Sequence, residues 1–152
     1  LPIFDTKSLL MFSKACEYGI RSVVFIAAQS LNDKRPNIVE IARAINSPEP
    51  FTAKICQQLA RSGIILSRKG PNGGFFIEKD SNLTLMDVVN AIDGNKVFFG
   101  CVLGLPECSA EHPCSVHEQY QYIRTDMRMM CENTKIIDLA VNYKGGDSFL
   151  RL

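Results

Sequence analysis

The sequence predicts a mainly α-helical protein with one small β-hairpin. Three observations lead to this prediction: apolar residues recur at three- and four-residue spacing along most of the chain, a glycine-rich turn separates two short β-branched and aromatic segments, and one apolar stripe near the carboxyl end continues for more than three heptads. The chain has 152 residues and is 46% hydrophobic, which is enough to bury a core. A disordered chain is therefore excluded.

Local signals predict three helices in the first part of the chain. Ser13 can cap the first helix, whose apolar positions recur until about Ser30. Asn37 followed by Glu40 three residues later is typical of a capping box, and a narrow apolar stripe then predicts a short second helix. A third helix is expected over residues 50–62, because proline suits the first helical position and a glycine follows the last.

A hairpin and a fourth helix are predicted next. Residues 64–68 and 75–78 have the composition of short strands, and the glycine-rich turn 69–74 joins them. Thr84 can cap a fourth helix, which Gly94 ends. Three helices followed by a hairpin is the order of elements in a winged helix-turn-helix domain, with the hairpin as the wing.

The most regular apolar pattern lies near the carboxyl end. Apolar or small residues alternate steps of four and three at Val116, Tyr120, Ile123, Met127, Met130, Thr134, Ile137 and Val141. We predict one helix of about 26 residues, roughly 39 Å long, which a small domain cannot cover and which therefore pairs with its copy in a homodimer. The alternative is that this stripe packs on the first helix, and both contacts can exist together.

The predicted organisation has five parts. We assign residues 1–10 to an extension, artificial or upstream, with no function; 11–94 to the winged helix-turn-helix domain; 95–115 to a cysteine-rich cluster-binding loop; 116–144 to a dimerisation helix; and 145–152 to a tail. No apolar run approaches eighteen residues and no secretory signal is recognisable, so we expect a cytoplasmic protein without a membrane partner.

The amino-terminal part is the more basic one. The net charge is only +1, but residues 1–90 carry eleven Lys and Arg against eight Asp and Glu, whereas residues 91–152 carry six against eight. The second helix of a helix-turn-helix pair lies in the major groove of DNA, and the wing contacts the backbone or the minor groove. We therefore predict contacts with double-stranded DNA from Pro50, Thr52, Lys54, Gln57, Gln58, Arg61, Arg68, Lys69 and Asn72.

These contacts divide by chemistry. Lys54 and Gln58 can reach base edges, whereas Arg61, Arg68 and Lys69 suit phosphates or the minor groove. Two alternatives remain open, because charged helix faces are often merely solvated and winged helices also serve as protein-binding adaptors.

A cluster of metal-binding residue types lies in the predicted loop. Six cysteines in a cytoplasmic chain favour metal binding or redox chemistry over disulfides. Cys101, Cys108, Cys114 and His117 fall within seventeen residues of a segment rich in glycine and proline. Thiolates are the normal ligands of iron-sulfur clusters, and imidazole can replace thiolate on one iron. A zinc site is the competing interpretation, although zinc ligands usually come in closer cysteine pairs.

The remaining candidate residues carry less chemistry. Cysteines within predicted helices are expected to be small core residues, and these are Cys16, Cys56 and Cys131. His112 is a weaker ligand candidate than His117. We find no paired carboxylates, no phosphate-binding glycine loop and no cysteine beside an obvious base, so we predict neither a catalytic site nor a small-molecule substrate.

Four segments of the chain match one known pattern. They are SKACEYGIR at residues 13–21, residues 39–63, the wing at residues 68–75, and the spaced cysteines. Together they resemble the Rrf2 family of bacterial winged-helix transcription regulators, over residues 11–142, and the wing and the cysteine loop are the most specific parts. Members of the IscR and NsrR types are homodimers with a long crossing helix, and many carry a 2Fe-2S or 4Fe-4S cluster.

The resemblance implies a set of cluster ligands. Cys101, Cys108 and Cys114 would bind the cluster, and His117 stands where IscR has its histidine ligand. NsrR-type members can use an acidic residue of the partner's first helix instead, which makes Glu17 of the partner subunit the alternative fourth ligand.

The resemblance also implies a function. The chain would be a repressor whose affinity for a palindromic operator is controlled by a cluster, with 2Fe-2S favoured and 4Fe-4S the alternative, and which senses redox state, nitric oxide or iron. Six residues separate the first two cysteines where IscR has five, and Lys69 replaces a wing arginine, so cluster type and operator sequence stay open. A thiol-switch or zinc regulator without iron and a protein-binding adaptor stay open too.

Overall fold

The computed structural model describes residues 11–144 and 149–150. The elements in chain order are α1 (Lys14–Ser30), α2 (Ile38–Ile45), α3 (Glu49–Arg61), β1 (Leu66–Arg68), β2 (Gly74–Phe76), α4 (Leu85–Ile92), α5 (Lys96–Phe99), α6 (His117–Asn133) and α7 (Ile136–Lys144). The predicted extension 1–10, and the tail 145–152 apart from residues 149–150, lie outside the described residues. The predicted mainly helical architecture with one hairpin is confirmed.

Side-chain caps begin the helices where the sequence predicts them. Ser13 Oγ accepts a 3.0 Å hydrogen bond from the backbone N–H of Cys16 at the start of α1. Asn37 and Glu40 form a reciprocal capping box on α2. Thr84 caps α4 and pairs in the same way with Asp87. Each cap satisfies amide groups that the first helical turn leaves without partners.

The core lies around α1, which packs against α2, α3, α4 and α7. Its fully buried members include Val23 and Ile26 of α1, Ile41 of α2 and Leu59 of α3. Tyr18 and Phe51 join α1 to α3 through an edge-to-face ring contact with centroids 5.4 Å apart. These contacts hold the helix-turn-helix pair, α2 and α3, against one central helix.

The wing is shorter than predicted. Leu66, Ser67 and Arg68 pair with Phe76, Phe75 and Gly74 in antiparallel register. Ile64 and Ile65 do not belong to the strand, because the Ile64 N–H donates to the Leu59 carbonyl at 3.0 Å and closes the end of α3. Both isoleucines are buried and serve the core instead.

The single carboxyl-terminal helix predicted over residues 116–144 is wrong in one respect, because α6 and α7 are separate helices. Thr134 has extended backbone angles between them. The Leu85 N–H donates to the Thr134 carbonyl at 2.8 Å, and the Ile136 N–H donates to the Leu83 carbonyl at 2.9 Å. The segment before α4 therefore takes backbone bonds that a continuous helix would have used internally.

The predicted apolar stripe is not the buried face of α7. Ile136 and Ala140 are fully buried against α1, and Tyr143 contacts Phe25 with ring centroids 6.3 Å apart, whereas Val141 is 53% exposed. The stripe therefore lies beside the packed face of this helix. On α6 much of it is open to solvent, as at Ile123, which is 62% exposed. No helix in the described part of the chain is both long and apolar enough to cross a bilayer.

Candidate DNA interface and cysteine loop

Helix α3 presents a polar face to solvent. Lys54, Gln57, Gln58 and Arg61 are exposed, whereas Ile55 and Leu59 are buried. The exposed four recur at spacings of three and four residues, which places them on one side of the helix. This side is the one that a helix-turn-helix protein presents to the major groove.

Thr52 does not belong to the exposed face, so the prediction that it contacts DNA is corrected. Its side chain is fully buried, and its hydroxyl lies 3.0 Å from both Ser47 Oγ and the Pro48 carbonyl. Thr52 is three residues before Ile55 and seven before Leu59, so it shares their buried face. That spacing was available in the sequence.

Gln58 is also restricted, although it is exposed. Its Nε2 donates a 3.0 Å hydrogen bond to the Ala91 carbonyl in α4. Gln58 therefore connects α3 to α4, and its amide group is less free to read a base than the side chains of Lys54 and Gln57. Pro50, in the first turn of α3, is exposed and near the expected groove.

The wing holds its exposed cationic residues on a tight turn. Arg68, Lys69 and Asn72 are exposed. The Gly73 N–H donates to the Gly70 carbonyl at 2.9 Å, and a Cβ on Gly73 would lie 2.2 Å from the Arg68 carbonyl oxygen. Only glycine fits there, which explains part of the glycine-rich turn in the sequence.

The wing is fixed to the turn between α1 and α2. The Phe75 N–H donates to the Pro36 carbonyl at 3.0 Å, and the Arg35 guanidinium lies 5.1 Å from the Phe76 ring centroid. These contacts set the position of the wing relative to the helix-turn-helix pair.

The four predicted cluster ligands form two pairs. Cys108 Sγ lies 3.4 Å from His117 Nδ1, and the Cys114 thiol is near enough to Cys101 to help lower its pKa. The three cysteines are half-buried, and His117, the first residue of α6, is only 7% exposed. The loop thus meets α6 at its histidine.

Backbone amides stabilise a thiolate at Cys101. The pKa of Cys101 is lowered first by the Leu105 amide, then by the Leu103 amide and the Cys114 thiol, against an opposing desolvation effect. Amide hydrogen bonds to sulfur favour the charged form of the thiol. The same kind of bond tunes the potential of iron-sulfur clusters.

The donor set fits an iron-sulfur cluster in its chemistry. Three thiols and one imidazole are the ligand types that such clusters take. Within residues 11–144 and 149–150, however, no three His, Cys, Asp or Glu side chains converge on one point. His112 is exposed, and Glu17 forms a 3.4 Å ion pair with Lys14. Closing the two pairs into one ligand set therefore requires the loop to rearrange.

The other cysteines are core residues, as predicted. Cys16, Cys56 and Cys131 are fully buried. Burial raises the pKa of Cys56 to about 12, and burial followed by the Asp93 carboxylate raises the pKa of Cys16 to about 12. Burial also raises the pKa of Cys131. These thiols stay protonated and do not compete for metal at neutral pH.

Two arginines of α6 contact the residues just before the cysteine loop, and the sequence did not lead us to predict these contacts. Arg124 Nη1 donates a 2.8 Å hydrogen bond to the Gly100 carbonyl, and the Arg128 guanidinium lies 5.7 Å from the Phe99 ring centroid. The available signal was spacing, since Arg124 lies two helical turns after His117 on the same face.

Comparison with known proteins decides the family. The family model described as Rrf2, iron-dependent transcriptional regulator, matches residues 12–142. The chain belongs to the Rrf2 family. A protein of Aquifex aeolicus (strain VF5) named as an HTH-type transcriptional regulator is 29% identical to this Rrf2 protein over 133 residues, which are 86% of this chain and 91% of the relative. Protein aau3 of Rhizobium meliloti (strain 1021) is 31% identical over 71% of this chain and 70% of its own.

Solved structures share the fold of this Rrf2 protein. CymR (YrzC), described as the global cysteine regulator of B. subtilis, superposes with a TM-score of 0.71 at 19% identity, covering 88% of this chain and 98% of CymR. IscR of T. potens superposes with a TM-score of 0.69 at 15% identity, covering 93% of each chain. The predicted fold class and the family resemblance are confirmed. The family is one of transcriptional regulators.

Proposed function

We propose that this Rrf2 protein is a homodimeric regulator that binds a palindromic operator, and that an iron-sulfur cluster on Cys101, Cys108, Cys114 and His117 controls its affinity for DNA. The observation that supports the proposal most is the arrangement of these four donors in two contacting pairs, on a loop that meets the first residue of α6. A 2Fe-2S cluster needs two protein ligands on each of its two irons, so two pairs agree with it in number.

DNA recognition is assigned to the exposed face of α3 and to the wing. Lys54 and Gln57 have no other role in the described structure, and they suit guanine and adenine edges. Arg61, Arg68 and Lys69 suit phosphates or the minor groove, where positive charge provides affinity with little dependence on sequence. Thr52 is left out because it is buried.

The exposed stripe of α6 supports the homodimer. Val116, Ile123 and Met130 recur every seven residues and are 37%, 62% and 49% exposed. A row of large apolar side chains in solvent is typical of an interface. A two-fold dimer would carry two copies of α3, and successive major grooves on one side of DNA are about 34 Å apart.

The ligands connect the cluster to α6. A bound cluster supplies reactivity towards oxidants, nitric oxide and changes in iron supply. His117 is the first residue of α6, so an imidazole bound to the cluster would hold the amino-terminal end of this helix in place. Without a cluster His117 contacts Cys108, so binding of a cluster would change how the loop restrains the start of α6.

Anaerobic purification tests the cluster. We expect a brown protein with about two irons and matching sulfide per chain, or about four for a 4Fe-4S cluster, and loss of the visible spectrum in Cys108→Ala and His117→Ala. Cys56→Ala is the matched control and should keep the spectrum, since Cys56 is buried in the core. A colourless protein with one zinc would refute the cluster.

Two further measurements test DNA binding and the dimer. Lys54→Ala with Arg61→Ala should weaken binding to the DNA upstream of its own gene and reduce its salt dependence by about two counterions. Ile123→Asp should raise the dissociation constant of the dimer in sedimentation equilibrium, with Gln121→Asp as the exposed polar control on the other side of α6. Wild-type protein that binds no DNA would favour the protein-binding adaptor.

A second candidate is a thiol switch without iron. It is favoured by the proximity of Cys114 to Cys101, whose pKa the Cys114 thiol helps to lower. Oxidised glutathione would convert the two thiols to one disulfide, with release of two molecules of reduced glutathione that carry the two electrons and two protons. A Cys101–Cys114 disulfide that controls DNA binding in iron-free protein would establish this candidate.

A further inference from the structure

The cysteine loop is attached to one face of α6 at three points. His117 contacts Cys108, Arg124 contacts Gly100, and Arg128 lies over Phe99. The three α6 residues are separated by seven and four positions, which are whole numbers of turns to within a fraction of a residue. They therefore lie in a row over roughly 16 Å of helix, at 1.5 Å per residue.

Arg124 is the central attachment, and it is held in place from both sides. Its guanidinium lies 5.8 Å from the ring centroid of Tyr120, one turn earlier on α6, and its Nη1 donates to the Gly100 carbonyl at 2.8 Å. The Gly100 N–H in turn donates to the Lys96 carbonyl at 2.7 Å. Both backbone polar groups of the residue immediately before Cys101 are thus bonded.

The segment before Gly100 is anchored in the core. Phe98 is 2% exposed and belongs to a cluster that includes Cys131 of α6. Residues 102–107, by contrast, are exposed. The loop therefore changes from a fixed to an open segment at Gly100 and Cys101, and Arg124 lies at that boundary.

We propose that Arg124 is a positioning residue that transmits the state of the cysteine loop to α6, an inference that rests on the proposed function. Bringing the Cys101–Cys114 pair and the Cys108–His117 pair together must displace Cys101 relative to α6. Because Gly100 is bonded to Arg124, the displacement acts on α6 two turns beyond His117 as well as at His117 itself. Without Arg124 the loop can close around a cluster while the displacement acts on α6 only at its amino-terminal end, through His117.

The test compares operator binding with and without the cluster. Anaerobic wild-type protein should show a ratio of dissociation constants between the two states within about 5- to 150-fold, the usual range of coupling between two sites. In Arg124→Ala this ratio should fall to about 2-fold or less, while iron content and visible spectrum stay at wild-type levels. Arg124→Lys, which keeps a charge and a donor, should recover part of the ratio. Gln121→Ala, an exposed change one turn earlier, should not alter it.

Hydrogen exchange of cluster-free protein gives a readout that needs no cluster. Arg124→Ala should raise exchange at residues 100–105 and leave exchange in α1 unchanged. An unchanged operator ratio in Arg124→Ala would overturn the inference, and so would loss of iron, because Arg124 would then hold the site rather than transmit its state. Wild-type protein that binds the operator equally well with and without the cluster would refute the proposed function. Unchanged exchange at residues 100–105 in Arg124→Ala would separately refute the attachment of Gly100 to Arg124.

Discussion

Helices α1 and α6 have the same length of 17 residues but opposite relations to the core. Nine residues of α1 are buried, whereas only His117 and Cys131 are buried in α6. α1 is surrounded by four helices of its own chain. α6 has the loop on one face and an exposed apolar stripe beside it. The difference shows that α1 is the structural centre of the chain, whereas α6 leaves most of its surface exposed.

The largest expected effect compares one isoleucine in each helix. Ile26→Ala should lower the free energy of unfolding by about 2–5 kcal/mol, because Ile26 is fully buried in α1 and its removal leaves a cavity. Ile123→Ala, the same change at an exposed α6 position, should cost the protomer less than about 0.5 kcal/mol. Urea unfolding at several protein concentrations measures both. An equal, concentration-independent loss at Ile123 would mean that α6 packs within its own protomer.

Cysteine reactivity should separate the same two regions. At pH 8 the thiolate fraction of Cys56, whose pKa burial raises from 9.0 to about 12, should be about a thousandfold below that of an ordinary thiol. Cys101 should react first, because the Leu105 amide foremost lowers its pKa. Alkylation rates of reduced, metal-free protein, read by peptide mass spectrometry, check this order. All six cysteines should react alike in denaturant, and fast labelling of Cys56 in folded protein would contradict the buried assignment.

Two glycines compare the wing with the cysteine loop. A Cβ on Gly74, at φ 144°, would lie 2.2 Å from the Arg35 carbonyl oxygen, so Gly74→Ala should cost about 3 kcal/mol or more and displace the wing. Gly104, at φ 73°, has nothing within 4 Å of its Cβ position, so Gly104→Ala should cost only about 1 kcal/mol. Thermal unfolding of the two variants gives the difference. Equal losses would show that the wing is as loosely packed as the loop.

The smallest effects are expected on α3. Thr52→Val removes a buried hydrogen bond and should cost about 0.5–1.5 kcal/mol of stability without changing affinity for DNA. Lys54→Ala should leave stability within about 0.5 kcal/mol and reduce the salt dependence of binding by about one counterion. Gel shifts at several salt concentrations, beside urea unfolding, check both. A loss of DNA affinity in Thr52→Val at unchanged stability would return Thr52 to the interface.

The parts of the fold that were predictable from sequence depend on neighbours along the chain. The caps at Ser13, Asn37 and Thr84 involve residues three positions apart, so the sequence alone reveals them. The break between α6 and α7 was not predictable, because it depends on backbone bonds from Thr134 and its neighbours to residues about 50 positions earlier. The apolar stripe continues through the break and conceals it.

The candidate site shows the same division. The cysteine spacing identified the residues, but the contact of Cys101 with Cys114 and of Cys108 with His117 depends on how an aperiodic loop folds. The exposed face of α3 followed from its spacing, and Thr52 was misplaced although the same spacing assigns it to the buried side. The bond from Gln58 to Ala91 is a tertiary contact with no local signal.

The extended backbone at Thr134 interrupts the helix, so α6 and α7 are two separate helices. α7 packs on α1, so a movement of α6 alone would bend the chain at Thr134 and leave α7 in place. Such a movement would act directly on the start of α4, because Thr134 is bonded to Leu85 and Ile136 is bonded to Leu83. Because α4 is also bonded to α3 through Gln58, a continuous set of bonded elements connects α6 to α3.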